Sequence, residues 1–224
     1  MTQDYDGGKY KKNWNPAEHY KEIEIAENYD NARFSSIPGR IFDRLEKIAL
    51  RKMMSELSDN SLIMDAPTGT GRLAETLLEM GHRVVGVDIS PEMLEVAKKK
   101  LKRFGDRYQT INSDVHNINL EKESFDAVIC ARVLMHFPLE EQISFLSAVS
   151  SYSKGLVVFN QSVITNYHRM RRYVKSLLGN QVPASFPLTK DEVGNLITGT
   201  LLTEVRRRQV LPLVSEAVFF SCRK

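Results

Sequence analysis

The chain has 224 residues, of which 42% are hydrophobic and 26% charged, with a net charge of +3. It contains no apolar run near the roughly 18 residues a membrane span needs, so composition excludes a membrane-spanning or disordered chain, and the length suits one α/β domain with a modest cap. The polar opening MTQDYDGGKYKKNW lacks the apolar stretch of a secretory signal, and a cytoplasmic location is expected.

Residues 17 to 57 hold two helical stretches, AEHYKEIEIAENYD and GRIFDRLEKIALRKMMSEL, separated by the breaker SSIPG. They predict a helical cap over residues 1 to 58. From residue 59 onward strands and helices alternate. SLIMDA (61 to 66) is a short apolar run, followed by a glycine turn and by RLAETLLEM (72 to 80) with helical spacing. HRVVGVDI (82 to 89) has the unbroken apolar, β-branched character of a strand buried on both faces. Ser90 as N-cap with Pro91 at the first helical position opens a helix to about Phe104. RYQTINSD (107 to 114), FDAVICAR (125 to 132) and KGLVVFNQ (154 to 161) are further strands, with a helix opened by Pro138 before the last. This alternation implies a parallel sheet covered on both sides. A helical insertion is expected over about 162 to 200: a basic amphipathic helix near 167 to 178, a loop, and a helix whose Thr189 and Glu192 form a capping box. Two runs around Pro212 close the chain. Their short connection favours an antiparallel pair.

Cys130 and Cys222 lie far apart in apolar runs, which suits small buried hydrophobes better than a disulfide. The five histidines never fall at metal-ligand spacing, so no metal is expected. Charge is uneven. Residues 161 to 224 carry ten basic and four acidic groups, whereas 59 to 160 carry eleven basic and fourteen acidic. The basic third gives weight to an anionic acceptor.

The most informative residues are Asp65, Gly69, Gly71 and Asp88. A tight glycine turn after the first strand lets backbone approach a ligand. A dinucleotide fold puts its first glycine almost at the strand end and a pyrophosphate on the helix N-terminus. Here the strand ends in Asp65, which would repel pyrophosphate and welcome a cation. Asp88 ends the next strand 23 residues later, close to the roughly 20 at which an acid grips ribose hydroxyls in such folds.

At these positions the chain resembles the class I S-adenosylmethionine-dependent methyltransferases. DAPTGTG (65 to 71) matches their first motif with Pro67 in place of its first glycine, Asp88 in VVGVDIS matches the second acid, Asp114 in NSDVHNI the third motif, and FDAVICARVLMHF the fourth strand. The resemblance implies a Rossmann-like α/β fold over 59 to 224. Its sheet would be seven-stranded and mostly parallel, with a C-terminal antiparallel hairpin. The implied cofactor is S-adenosyl-L-methionine. Asp65 with Ala66, Pro67, Thr68, Gly69, Thr70 and Gly71 would hold its methionyl part. Asp88 would hold the ribose diol, with Ile89 and Met93 against adenine. Asp114 would accept from the adenine amino group beside Val115, and Ala131 would line the fourth strand's end. Arg33 and Arg40 in the cap are candidates for the methionyl carboxylate. A Tyr-x-x-x-Lys pair downstream of the glycine loop and a P-loop lysine are both missing, which argues against a dehydrogenase and an NTPase.

Methyl transfer from a sulfonium mainly requires alignment and a dry pocket, with a base if the acceptor is a hydroxyl. Arg132 and His136 follow the fourth strand, and His136 is the candidate base, with a helix-capping role as its alternative. Trp14, Tyr20, Tyr29, Phe34, Tyr167 and Tyr173, with Arg169, Arg171, Arg172 and Lys175, are expected to cover the acceptor. The leading expectation is a small-molecule acceptor, anionic or lipid-like, methylated on oxygen or nitrogen. RNA or protein acceptors, or cofactor binding without catalysis, are the alternatives. The small net charge argues against nucleic acid.

Overall fold

The computed structural model describes residues 3–6, 9–12, 30, 33–177 and 185–224. Strands β1 (Gln3–Asp6) and β2 (Lys9–Lys12) form a two-stranded antiparallel ribbon, which the sequence reading did not anticipate. The first helical stretch before the sheet, 17 to 30, lies outside the described residues except for Asp30. The second is helix α1 (Ile37–Met54), where Ser36 Oγ accepts from the Gly39 N–H and Pro38 sits in the first turn.

The domain then follows as β3 (Leu62–Asp65), α2 (Arg72–Glu79), β4 (Arg83–Asp88), α3 (Pro91–Leu101), β5 (Tyr108–Asn112), β6 (Phe125–Cys130), α4 (Leu139–Ser150), β7 (Ser153–Ser162), α5 (Asn166–Leu177), α6 (Lys190–Gly199), β8 (Thr203–Gln209) and β9 (Ala217–Arg223). Ser90 accepts from the Met93 N–H at the start of α3, and Thr189 and Glu192 complete their capping box at α6. α3 stops at Leu101 and tightens into a 3-10 turn to Arg107, where Gly105 takes φ +57°. The helix is therefore shorter than its expected end at Phe104.

The seven strands lie in the order β5-β4-β3-β6-β7-β9-β8. β3 to β7 are parallel, and β9 runs antiparallel to both β7 and β8. The strand order reverses between β3 and β6, and in open α/β sheets that is where a crevice forms beyond the carboxyl ends. Alternate strand residues feed two cores. Ile63, Ala127, Ile129, Val158 and Phe219 pack with Leu50 and Met54 of α1 and Leu73 and Leu77 of α2. Met64, Val128, Cys130, Val157 and Phe220 pack with Leu146 and Val149 of α4 and Leu196 of α6. Cys130 and Cys222 are free and buried, and burial pushes the Cys222 thiol up to about 12, as suits inert hydrophobes. Among the described residues no helix is long and apolar enough to cross a membrane.

Candidate active site

The loop after β3 is built by its glycines. Gly69 (φ +53°) and Gly71 (φ +71°) are both left-handed, a region open to glycine and costly for other residues. A Cβ on Gly71 would also come within 2.7 Å of Leu101 Cδ1, whereas one on Gly69 would meet nothing within 4 Å. Gly71 thus lets α2 pack on α3, and Gly69 leaves open space in the cavity wall. The loop is pinned to the sheet by the Thr68 N–H, which donates to the Val87 carbonyl at 2.9 Å. Thr70 Oγ1 donates to Asp30, which also pairs with Lys100 at 2.8 Å.

Two buried acids flank this loop. Asp65 is 2% exposed, and its carboxylate accepts from Thr68 Oγ1 at 2.8 Å. Burial pushes its pKa up to about 7; the Thr68 hydroxyl opposes the shift, and the nearby charge of Asp88 adds to it. Asp88 accepts from the Gly69 N–H at 2.8 Å through one oxygen and from the Ser90 N–H at 3.0 Å through the other. Burial raises its pKa too, against those N–H donors. Local backbone capping and a polar grip on a ligand are thus compatible, because each carboxylate oxygen has a second lone-pair site.

Both acids open onto one cavity of about 410 Å³ at the carboxyl ends of the strands. Pro67, Thr68, Gly69, Thr70, Ile89, Met93, Asp114, Val115 and Ala131 all line it, so most of the sequence-predicted cofactor set shares one wall. Asp114 turns one oxygen to the His116 N–H at 2.9 Å. Four members of the predicted set lie off that wall. Ala66 is fully buried, its N–H bonded to Ile129, and Gly71 sits behind the loop as the N-cap of α2. Arg33 and Arg40 are exposed, and Arg40 spends a guanidinium N–H on the Ser35 carbonyl at 2.8 Å.

The other half of the cavity belongs to the segment after β6 and to α4. Arg132, Val133, His136 and Phe137 line it, with Glu141, Ser144 and Phe145 from the first turns of α4. Arg132 holds φ +62°, its N–H donating to Asn160 Oδ1 at 3.0 Å. Its buried Nε has no hydrogen-bond partner among the described residues. His136 ends a one-turn 3-10 helix and lies half-buried. α4 is capped by Pro138, without a side-chain bond from that residue. No group of three or more metal-ligating side chains was found among the described residues.

A charged knot behind the cavity escaped sequence reasoning. Glu46 of α1 is fully buried and pairs with Arg72, and with Arg132 at 3.4 Å; Arg72 also binds Asp43. The Phe34 ring lies 4.5 Å from the Arg72 guanidinium. Arg72 and Arg132 both line the cavity, so α1 anchors a residue in each of its halves. Glu141, Ser144 and Phe145 lie at spacings that share one face of α4, but a single helix does not declare which way it turns.

Only part of the cover expected over the acceptor falls within the described residues. Trp14, Tyr20, Tyr29 and the Lys175 side chain lie outside the described residues. Tyr167 and Tyr173 are exposed and do not line the cavity, and Arg172 is bound to Glu216 at 2.8 Å.

A family model described as "Methyltransferase domain" matches residues 63–154. An uncharacterized methyltransferase of Alkaliphilus oremlandii is 28% identical over 178 residues, 77% of this chain and 74% of that protein. The magnesium-protoporphyrin O-methyltransferase of Synechocystis is 32% identical over 102 residues, but this match covers only 44% of this chain and 43% of the relative. The crystal structure of magnesium protoporphyrin IX methyltransferase from Synechocystis with bound SAH superposes with a TM-score of 0.72 at 15% identity, covering 94% of this chain and all of that one. The Burkholderia thailandensis 1,6-didemethyltoxoflavin-N1-methyltransferase, solved with its acceptor and S-adenosylhomocysteine, gives 0.66 at 17% identity over 95% of this chain and 92% of that one.

Proposed function

We propose that the chain, which carries a methyltransferase-domain match over residues 63–154 and the fold of a methyltransferase solved with bound SAH, is an S-adenosylmethionine-dependent methyltransferase that methylates a small molecule joining an anionic or strongly polar group to a partly apolar body. The observation that carries this reading is the division of one cavity into two chemically different halves. One half holds two buried carboxylates around the open space at Gly69, a donor set that suits a ligand with an ammonium at one end and a ribose diol at the other. Asp65 and the loop residues would hold the methionyl part, Asp88 the ribose hydroxyls, and Ile89, Met93, Asp114, Val115 and Ala131 the adenine end. When bound, the cofactor supplies an electrophilic methyl group on a sulfonium.

The other half does the work of alignment and exclusion. Val133, Phe137 and Phe145 wall it with apolar surface, which keeps water from the reacting atoms. The Arg132 guanidinium, which lines this half, would draw an acceptor oxyanion or carboxylate. His136 stands beside it to take the proton of an acceptor hydroxyl. The acceptors in the names of two similar proteins, magnesium protoporphyrin and 1,6-didemethyltoxoflavin, are small molecules, which supports this reading. Incubating the purified chain with isotopically labelled cofactor and a cell extract separated into metabolite, RNA and protein fractions tests it. Label is expected in the metabolite fraction. Transfer confined to RNA or protein would overturn the acceptor class.

A further inference from the structure

The basic helix α5 is amphipathic in the reverse sense for a helix packed on a core. A packed helix turns its apolar stripe inward. Here the inward face is polar: His168 is 2% exposed, Arg171 donates to the Val214 carbonyl, and Arg172 binds Glu216 and, at 3.2 Å, Ser185. With 3.6 residues per turn, the opposite face carries Tyr167, Met170, Tyr173, Val174 and Leu177, which are 50%, 61%, 64%, 47% and 67% exposed. The loop held by Arg171 also exposes Leu213 and Val214, 79% and 50%. A contiguous apolar surface of this kind marks an interaction site rather than ordinary scatter.

Charge narrows the occupant. Residues 166 to 177 and 210 to 216 hold four basic groups and one acid, Glu216. Arg172 takes up that acid, and Glu192, which faces Arg169, is held by the Thr189 cap. An apolar stripe of tyrosine and aliphatic residues with the exposed Arg169 beside it, on a segment whose basic groups outnumber its acids, matches an anionic lipid surface. The stripe would enter the headgroup and acyl boundary while the Arg169 guanidinium stays at phosphate level. The placement is consistent with that occupant. α5 leaves the carboxyl end of β7, the end at which the cavity opens. Its support also touches the cavity rim, because the Phe186 N–H donates to the Met135 carbonyl at 2.7 Å, one residue before His136.

We propose that α5 and the loop through Leu213 dock the chain reversibly on an anionic membrane surface, with the mouth of the cavity turned toward the lipid side. The docking is peripheral, and the contact needs no acceptor. Its failure therefore leaves the proposed methyl transfer standing. Flotation of the full chain with phosphatidylcholine vesicles, alone or mixed equally with phosphatidylglycerol, tests it. The chain is expected to float with the mixed vesicles, to stay behind with phosphatidylcholine alone, and to be released by salt. Arg169→Gln should weaken partitioning about fivefold. Met170→Glu combined with Leu177→Glu should weaken it at least about tenfold. Both variants should keep S-adenosylhomocysteine affinity and thermal midpoint, since the altered side chains are exposed. Absence of flotation with the anionic vesicles, or equal flotation of the double glutamate variant, overturns the proposal. A dimer that the same double variant dissolves overturns it in favour of a second copy as the occupant.

Discussion

Binding of S-adenosylhomocysteine should weaken on acidification through Asp65, by an amount set by that residue's burial. In the protein alone the Asp65 pKa is pushed up to about 7 from an ordinary 3.8, chiefly by burial. A group raised in this way contributes stability that is fully present below its unfolded pKa and lost as the pH climbs through about 7. At about pH 6 the protein alone therefore holds a proton there that an ionised site must release. An ammonium beside the carboxylate favours the ionised form. Binding then expels the proton, and the apparent Kd grows by one plus the ratio of protonated to ionised Asp65. That factor rises about tenfold from about pH 8 to about pH 6, and about tenfold again for the next unit down. Titration calorimetry in two buffers of unlike ionisation enthalpy reads both quantities. Proton release should approach one per ligand near pH 6. Asp65→Asn should bind more weakly and without the slope. A wild-type Kd that stays flat over this range, or an asparagine variant that keeps the slope, would refute the placement of a cationic group at Asp65.

Removing the second acid, by Asp88→Ala, should weaken S-adenosylhomocysteine at least about tenfold, the loss of charge-assisted bonds worth roughly 1.5 to 3 kcal/mol each; an unchanged Kd by calorimetry in a folded variant would exclude it from the ribose grip. Glu46→Gln leaves Arg72 and Arg132 facing a neutral partner in the interior, and denaturant titration should record a loss of about 3 to 5 kcal/mol. A loss under about 1 kcal/mol would mean that solvent or Asp43 already compensates the two guanidinium groups. Once an acceptor hydroxyl is identified, His136→Asn should lower kcat about 100-fold with little change in cofactor affinity. Turnover within threefold of wild type would remove His136 as the base, and parallel losses of activity and thermal stability would assign it to the structure of the turn instead.

The order of strands and helices from residue 61 to the end, the caps at Ser90 and Thr189 and the closing antiparallel pair were legible in the sequence because each rests on local rules: apolar periodicity, a hydroxyl before a helix, a connection too short for a crossover. The two acids and the glycine loop were legible for a related reason, since they sit within a few residues of strand ends whose position the apolar runs declare. Spacing could not decide which side chains meet across the fold. Glu46 lies 26 residues before Arg72 and 86 before Arg132, and nothing in an amphipathic helix says that one of its inward positions will be an acid closing a charged knot. Ala66 and Gly71 belong to the glycine loop, yet chain direction and packing keep them off the cavity wall, and Arg33 and Arg40 are exposed. The basic helix is the sharpest case. Its periodicity announced two faces, but which face meets the protein depended on Glu216, Ser185 and the Val214 carbonyl, brought under it by the β8–β9 loop and the segment before α6. Hydrogen bonds to those distant groups hold the polar face inward and leave the apolar face to the surroundings, a choice made by tertiary contacts that local sequence does not encode.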